Sequence, residues 1–212
     1  MNIIFNKPYL SGEEKEYLTI PLDQSSFSGD GEFTRKSEYL IEKKHNVRNC
    51  LLTNSCTSAL EMSAILSEIN FGDEIIMPSY TFVSTANAFI LRGGKPVFID
   101  IKKETMNIDE TLIEKAITKK TKCIVVVHYA GFSCDMEIVV KIAKKNNLIL
   151  IEDAAQAISS KYKNKFLGSI GDLATLSFHQ TKNIHCGEGG ALLINKKKYL
   201  KRSKIIREKG TN

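Results

Sequence analysis

The chain has 212 residues, of which 42% are hydrophobic and 25% charged, and its formal net charge is +6 at pH 7. This hydrophobic fraction supports a folded core and excludes an intrinsically disordered chain. The five cysteines include no Cys-x-x-Cys pair, and no apolar run approaches the roughly 20 residues that cross a bilayer. We therefore expect a cytoplasmic protein without disulfides, without structural zinc and without a membrane segment.

Strand-like and helix-like segments alternate from residue 50 onward. The predicted strands cover residues 50–53, 74–78, 96–100, 122–127 and 148–151, and the predicted helices cover residues 57–69, 83–91, 109–117 and 135–145. Several strands are continuous apolar runs, as expected when helices cover both faces of a sheet. The repeated strand–helix pattern predicts an α/β fold with a mostly parallel sheet and right-handed crossovers.

The pattern changes after residue 156. Lys163-Asn164-Lys165 predicts a hairpin turn, residues 173–178 and 191–194 predict further strands, and a basic helix is predicted from residue 198 to about residue 209. No internal repeat and no low-complexity linker divides the chain. The lysines are scattered, which favours solvated faces over a nucleic-acid-binding track.

Lys182 and Asp153 are the two residues with the clearest chemical meaning. Asp153 comes just after the apolar run 148–151, at the edge of an open α/β sheet where ligands gather. Lys182 follows the strand that ends at Ser177-Phe178, where apolar neighbours favour a neutral amine. A pyridoxal phosphate enzyme needs a lysine for the Schiff base and a carboxylate that keeps the pyridine nitrogen protonated. Taken singly, each residue is more often a surface lysine or a helix-capping aspartate.

Five further side chains are candidates for holding such a cofactor. Thr57 and Ser58 open a helix after the first strand, which suits a phosphate group, although N-capping explains them equally well. Ser177 could reach the same phosphate, or simply end its strand. Phe82 could stack on the pyridine ring and Gln156 could donate to the ring oxygen; the ordinary alternatives are a core phenylalanine and a loop glutamine.

Other classes of site lack their sequence signatures. The spacings of His128, His179 and His185 match no zinc motif, and Cys186 adds only a pair, so we expect no metal. No Gly-x-Gly-x-x-Gly follows the first strand, which argues against a dinucleotide fold. A Ser/His/Asp hydrolase would need a Gly-x-Ser-x-Gly turn, which the chain lacks.

These residues lie in stretches that strongly resemble the DegT/StrS-type sugar aminotransferases. The resembling stretches cover residues 77–87, 105–112, 127–131, 152–156, 177–183 and 206–212. The resemblance implies the large domain of a fold-type I, aspartate-aminotransferase-like enzyme that acts as a homodimer with active sites at the subunit interface. It assigns the Schiff base to Lys182, the pyridine nitrogen to Asp153, the ring oxygen to Gln156, the ring face to Phe82, and the phosphate to Thr57, Ser58 and Ser177.

The implied reaction moves an amino group from a donor, expected to be L-glutamate, to the 4-keto carbon of dTDP-4-dehydro-6-deoxyglucose. Its product, dTDP-4-amino-4,6-dideoxygalactose, would serve cell-surface polysaccharides such as lipopolysaccharide and enterobacterial common antigen. Some members of the family carry histidine at the lysine position and act as dehydratases, so Lys182 favours transamination. An alternative places the new amine on the 3-position of the sugar.

Members of this family are much longer than 212 residues. They continue beyond the Gly-Thr-Asn stretch into a loop that reaches the neighbouring subunit's phosphate, and then into a small C-terminal domain. We therefore expect residues 1–212 to comprise an N-terminal segment and a cofactor-binding large domain that is incomplete at its C-terminal end. A further alternative is a remnant that binds the cofactor or dimerises without turning over.

Overall fold

The structure, a computed structural model, describes residues 3, 4 and 6–211, over which helices and strands alternate. The helices are α1 (Glu14–Asp23), α2 (Glu32–His45), α3 (Cys56–Leu66), α4 (Val83–Ile90), α5 (Glu110–Ala116), α6 (Met136–Lys145) and α7 (Leu200–Arg207). The strands are β1 (Asn49–Thr53), β2 (Glu74–Pro78), β3 (Lys95–Ile99), β4 (Thr121–Val127), β5 (Ile149–Asp153), β6 (Lys161–Tyr162), β7 (Lys165–Phe166), β8 (Leu173–Ser177) and β9 (Gly190–Ile194).

The described strands form a seven-stranded sheet in the order β1-β9-β8-β5-β4-β2-β3, and β6 and β7 form a separate hairpin. Strands β3, β2, β4, β5 and β8 pair in parallel. Strand β9 is antiparallel to both of its neighbours, β8 and β1. The expected α/β fold with a mostly parallel sheet is therefore confirmed, as is the hairpin turn at Lys163-Asn164.

The core lies on both faces of the sheet, which explains the continuous apolar runs in the sequence. On β2, Ile75 and Met77 belong to one apolar cluster, while Ile76 between them belongs to the opposite one. Successive strand residues point to opposite faces, so a strand covered by helices on both sides is apolar at every position. Phe89 of α4 packs into the first cluster and Met136 of α6 packs into the second.

Several boundaries differ by a few residues from those predicted, and two of them have a clear physical cause. Helix α3 ends at Leu66 rather than at residue 69, because Glu68 takes a left-handed conformation with φ of 52°. The amide of Ile69 then donates to Ala64 O, which closes a Schellman motif and keeps the Ile69 side chain buried. The spacing of buried apolar residues therefore continues past the last residue of helix α3.

Asp153 is the last residue of β5 rather than a residue beyond it. It pairs with Val127 of β4 and with Thr175 of β8, so the strand ladder extends through the two acidic residues. The apolar run in the sequence ends earlier because Glu152 and Asp153 are charged, yet both are buried. Their charges are accommodated by hydrogen bonds that come from distant parts of the chain.

The N-terminal segment contains helix α2, whose acidic residues hold strand β1 at the edge of the sheet. Glu42 Oε1 accepts hydrogen bonds from the Asn49 side chain at 2.8 Å and from the Cys50 amide at 2.9 Å. One turn earlier, Glu38 accepts from the Leu52 amide at 2.9 Å. An edge strand exposes a row of unpaired amides, and two of them are satisfied here by the carboxylates. Of the helices in the described part of the chain, none is long and apolar enough to cross a bilayer.

Candidate active site

A cavity of about 750 Å³ opens at the carboxyl end of β8 and beside the last residue of β5. These strands are parallel neighbours, so the segments that follow them meet at one edge of the sheet. An adjoining cavity of about 260 Å³ shares Phe82, Asp153 and Lys182 with it. The larger volume lies in the range of small-molecule sites, which occupy roughly 300–1,000 Å³.

The two cavities bring together most of the residues singled out from the sequence. Six of the seven candidates line the larger cavity, namely Thr57, Phe82, Asp153, Gln156, Ser177 and Lys182. Ser58 does not line it, because its hydroxyl donates to Asn54 Oδ1 at 2.6 Å and its amide donates to Ser55 Oγ at 3.1 Å. The Ser58 side chain therefore serves the start of helix α3 and does not face the cavity.

Asp153 presents a buried carboxylate to the cavity, with a side chain and backbone that are only 4% exposed. The Thr85 hydroxyl donates to its Oδ2 at 2.7 Å and the Ala155 amide donates to its Oδ1 at 3.2 Å. Burial raises the pKa of Asp153 above its ordinary value, although these two hydrogen bonds and the charge of Lys182 oppose the increase. A buried carboxylate of this kind is a favourable partner for a cationic group in the cavity.

Lys182 lies on the loop that follows β8, with its amide donating to His179 O at 2.9 Å. The N-terminal segment supports this loop at two points. Asn6 Nδ2 donates to Thr181 O at 3.2 Å, and His185 Nε2 lies 3.0 Å from Tyr9 O. The half-buried Lys182 and the buried Asp153 thus line the same cavity from the ends of neighbouring strands.

The N-terminus of helix α3 forms another wall of the cavity. Ser55 is the N-cap, and the amides of Cys56 and Thr57 in the first turn have no acceptor within the helix. Gly190 of β9 packs against this turn so closely that a Cβ atom would lie 2.4 Å from Cys56 N. The glycine therefore permits the contact that places the helix terminus beside the cavity, a constraint that the sequence alone did not reveal.

Gln156 supports the turn at residues 129–131 through its side-chain carbonyl. Its Oε1 accepts a hydrogen bond from Ala130 N at 2.6 Å, while Ala130 has φ of 51° and Gly131 has φ of 82°. Since the oxygen is engaged, the amide NH₂ remains the group that can donate into the cavity. Tyr129 from this turn meets Tyr80 in the lining of the adjoining cavity, with the two hydroxyl oxygens 3.3 Å apart.

Glu152 and His128 form a buried pair that the sequence analysis did not assign. His128 Nδ1 accepts from Cys134 N at 3.4 Å, so the hydrogen on Nε2 is the one donated to Glu152 Oε2 at 3.0 Å. The His128 amide also donates to Asp153 O at 3.1 Å. The pair therefore joins the ends of β4 and β5. A signal was present in the sequence, since Glu152 lies in a buried strand directly before Asp153.

In the part of the chain that the structure describes, no group of three or more histidine, cysteine, aspartate or glutamate residues is placed to hold a metal ion. Cys56 lines the cavity, but burial raises the pKa of its thiol well above its ordinary value, so the thiol stays protonated.

The model of the DegT/DnrJ/EryC1/StrS aminotransferase family matches residues 8–212. The chain belongs to this family. A curated relative, GDP-perosamine synthase from Escherichia coli O157:H7, is 40% identical over 191 residues, which are 90% of this chain and 52% of the relative. The chain spans about half the length of the curated relatives it matches, with 52%, 52% and 55% for three of them.

Solved structures of the same family share the fold. The sugar aminotransferase Spr1654 from Streptococcus pneumoniae in its PLP form superposes with a TM-score of 0.88 at 29% identity, covering 97% of this chain and 57% of that one. DesI, solved in the presence of its TDP-sugar product, has a TM-score of 0.90 at 30% identity, covering 98% of this chain and 53% of that one. The expected family and fold are thereby confirmed, and pyridoxal phosphate is confirmed as the cofactor of this group of enzymes.

Proposed function

We propose that this chain is the cofactor-binding large domain of a pyridoxal phosphate-dependent nucleotide-sugar aminotransferase. The observation that carries the proposal is the position of Asp153 and Lys182, which line one cavity from the ends of two adjacent parallel strands. The amino group would come from L-glutamate and go to the 4-keto carbon of a nucleotide-linked 6-deoxy sugar. Residues 1–212 would comprise an N-terminal segment and this large domain, and together they would be part of a longer functional unit.

The residues present fit the three chemical features of pyridoxal phosphate. The buried Asp153 carboxylate suits a protonated ring nitrogen, and the first-turn amides of α3 suit a phosphate, helped by the helix dipole. Lys182 supplies the primary amine. Phe82 is 75% exposed and lines both cavities, so its ring is free to cover a flat ligand.

Each side chain has a defined task in this proposal. When bound, pyridoxal phosphate supplies an aldehyde for amine exchange and a ring that accepts electrons from the neighbouring carbon. Lys182 would hold the cofactor at rest. Once released, its Nζ would remove the proton from the α-carbon of the donor and later return a proton to C4 of the sugar. Asp153 would keep the ring nitrogen protonated, while Thr57, Ser177 and the start of α3 hold the phosphate.

The nucleotide-sugar substrate is proposed to be dTDP-4-dehydro-6-deoxyglucose. DesI was solved with a TDP-sugar product, whereas GDP-perosamine synthase is named for a GDP-linked sugar. The turnover assay described below therefore tests both the dTDP-linked and the GDP-linked sugar. A second copy of the chain is the proposed partner, with the cavity mouth at the interface between copies; amination at C3 and a remnant without turnover are the competing outcomes.

A spectroscopic experiment tests the core of the proposal. Purified protein with added pyridoxal phosphate should develop the visible absorption band of the lysine-bound cofactor, and Lys182→Ala should lose it. Lys201→Ala, which changes an exposed lysine of α7, is the matched control and should keep the band. A well-folded wild-type protein without the band would refute the assignment.

Turnover is tested separately with glutamate and either the dTDP-linked or the GDP-linked 4-keto-6-deoxy sugar. NMR analysis of the product distinguishes amination at C4 from amination at C3. Cofactor binding without product in any arm would support the interpretation as a remnant, or as a domain that needs the remainder of a longer protein.

A further inference from the structure

Thr85 makes the shortest hydrogen bond to Asp153 and is itself fully buried, with 0% exposure, in helix α4. Its Oγ1 donates to Asp153 Oδ2 at 2.7 Å and lies 2.8 Å from Thr81 Oγ1. A hydroxyl carries one hydrogen. Since the Thr85 hydrogen is directed at Asp153, the hydrogen between the two threonines must come from Thr81. The result is a directed chain of hydroxyls that ends on the carboxylate.

Several other groups lie around Asp153, but the hydrogen-bonded hydroxyls of Thr81 and Thr85 are the main contact to its carboxylate that a substitution can change. Lys182 faces it across the cavity, His128 approaches from the end of β4, and Cys56 approaches from α3 with a protonated thiol. The Ala155 amide also donates to the carboxylate, at the longer distance of 3.2 Å. Burial raises the pKa of Asp153, and the Thr85 hydrogen bond is the largest of the contacts that lower it.

We propose that Thr85, with Thr81 behind it, is a positioning residue that holds the Asp153 carboxylate in place and aimed into the cavity, and so sets how tightly the chain binds a protonated aromatic nitrogen. Hydroxyl chains polarise one another, so the donor that touches the carboxylate is strengthened by the donor behind it. The proposal rests on the proposed function, since the ring nitrogen is that of pyridoxal phosphate.

The test measures the dissociation constant of pyridoxal phosphate by absorbance titration, without any assay of turnover. Thr85→Val keeps the shape but removes the hydroxyl, and we expect roughly ten-fold weaker binding, as for a hydrogen bond to a charged group. Thr85→Ser restores the donor and should bind within about two-fold of the wild type. Thr81→Val should produce a smaller loss than Thr85→Val.

Thr175→Val is the matched control. Thr175 is also fully buried and pairs with Asp153 across the sheet, but the hydrogen bonds to the Asp153 carboxylate come from Thr85 and Ala155 and not from its hydroxyl. Its replacement should leave cofactor affinity near that of the wild type. An equal loss in Thr175→Val and Thr85→Val would mean that affinity follows general packing, which would overturn the proposal.

Two further measurements separate positioning from structure. In an Asp153→Asn background, Thr85→Val should cause no additional loss, because its target is already uncharged. Binding of 1-deazapyridoxal phosphate, whose ring has a carbon in place of the nitrogen, should be insensitive to Thr85→Val. If Thr85→Val weakened binding of the analogue as much as binding of pyridoxal phosphate, the result would contradict the role proposed for Thr85.

The outcomes also separate this inference from the proposed function. Tight binding by the wild type together with unchanged binding by Thr85→Val overturns the inference and leaves the proposed function standing. No binding by a folded wild-type protein refutes the proposed function, and the inference falls with it.

Discussion

At the scale of single residues, two adjacent carboxylates occupy opposite electrostatic environments. Burial alone would raise the pKa of Glu152, but His128 and the amides of Gly168 and Gly171 outweigh it and hold the pKa below its ordinary value. For Asp153 burial prevails and the pKa is raised. Glu152 therefore stabilises the fold in its ionised form, whereas Asp153 is a charge that the cofactor-free fold tolerates at a cost.

Asp153→Asn should stabilise the cofactor-free protein while weakening its hold on the cofactor. Because the pKa of Asp153 is raised on folding, its ionisation destabilises the fold once the pH exceeds 3.8, and the destabilisation is complete above the folded pKa. At pH 7 we expect a gain on the order of 1 kcal/mol in unfolding free energy and roughly ten-fold or greater loss of affinity. Thermal unfolding with and without pyridoxal phosphate measures both quantities.

The Asn side chain can be accommodated because the Thr85 hydroxyl can rotate to accept from the new NH₂ while donating to Thr81, which lies 2.8 Å away. A variant that is less stable without cofactor, yet binds the cofactor as well as the wild type, would show that Asp153 is a structural residue.

Glu152→Gln should have the opposite effect on stability. The carboxylate accepts from His128 Nε2 and from three backbone amides, those of Gly168, Ile170 and Gly171. A glutamine would direct its NH₂ at some of these donors, so we expect a loss of roughly 3 kcal/mol at pH 7. Urea unfolding between pH 3 and pH 7 measures it.

The sign of the pH dependence follows from the lowered pKa of Glu152. Its contribution is fully present above pH 4.5 and is lost as the pH falls through the folded pKa. The gap in stability between the wild type and Glu152→Gln should therefore narrow in acid. A gap that is constant with pH would indicate that ionisation of Glu152 contributes nothing.

At the scale of elements, the site depends on how strand β9 meets helix α3. The sequence predicts a strand from residue 191, but in the structure Gly190 is the first residue of β9 and lies against the first turn of α3. The conformational freedom of glycine is not what is used here, since its φ is not positive. The absence of a side chain is what permits the contact.

Gly190→Ala should displace the start of α3 and weaken binding of the phosphate group. The added Cβ would lie 2.4 Å from Cys56 N, and overpacking against backbone typically destabilises by roughly 1–3 kcal/mol. Affinity for pyridoxal phosphate should fall more than affinity for pyridoxal, which lacks the phosphate. Gly29→Ala is the control, because no atom lies within 4 Å of its Cβ position. Equal losses for both ligands would place the effect away from the phosphate.

At the scale of the whole molecule, exposed apolar side chains lie at the start of helix α4, where Phe82 lines the cavity. Phe82 and Val83, at the start of α4, are 75% and 63% exposed. Phe71 is 95% exposed but precedes β2, so it lies at the amino ends of the strands, opposite the carboxyl ends where the cavity opens. If a second copy covers the cavity mouth, as proposed, a charge introduced at Val83 should weaken self-association. A charge introduced at Phe71 should not.

Val83→Glu should therefore weaken self-association at least about ten-fold, because an unpaired carboxylate would be desolvated in the interface. Phe71→Glu should leave the association unchanged. Sedimentation equilibrium over a range of protein concentrations measures both variants against the wild type. A wild-type protein that is monomeric at all concentrations, or equal effects of the two substitutions, would contradict an interface at the cavity mouth.

The sequence by itself determined the alternation of strands and helices, because periodicity is a local property of the chain. The proposed pairing of Lys182 with Asp153 came from the family resemblance of the stretches around them. Only the tertiary structure decided which side chains support that pair. Thr85 reaches Asp153 over 68 residues, His128 reaches Glu152 over 24, and Ser58 turns away from the cavity toward Asn54. Hydrogen bonds between distant segments depend on strand register and helix placement, and no local pattern encodes them.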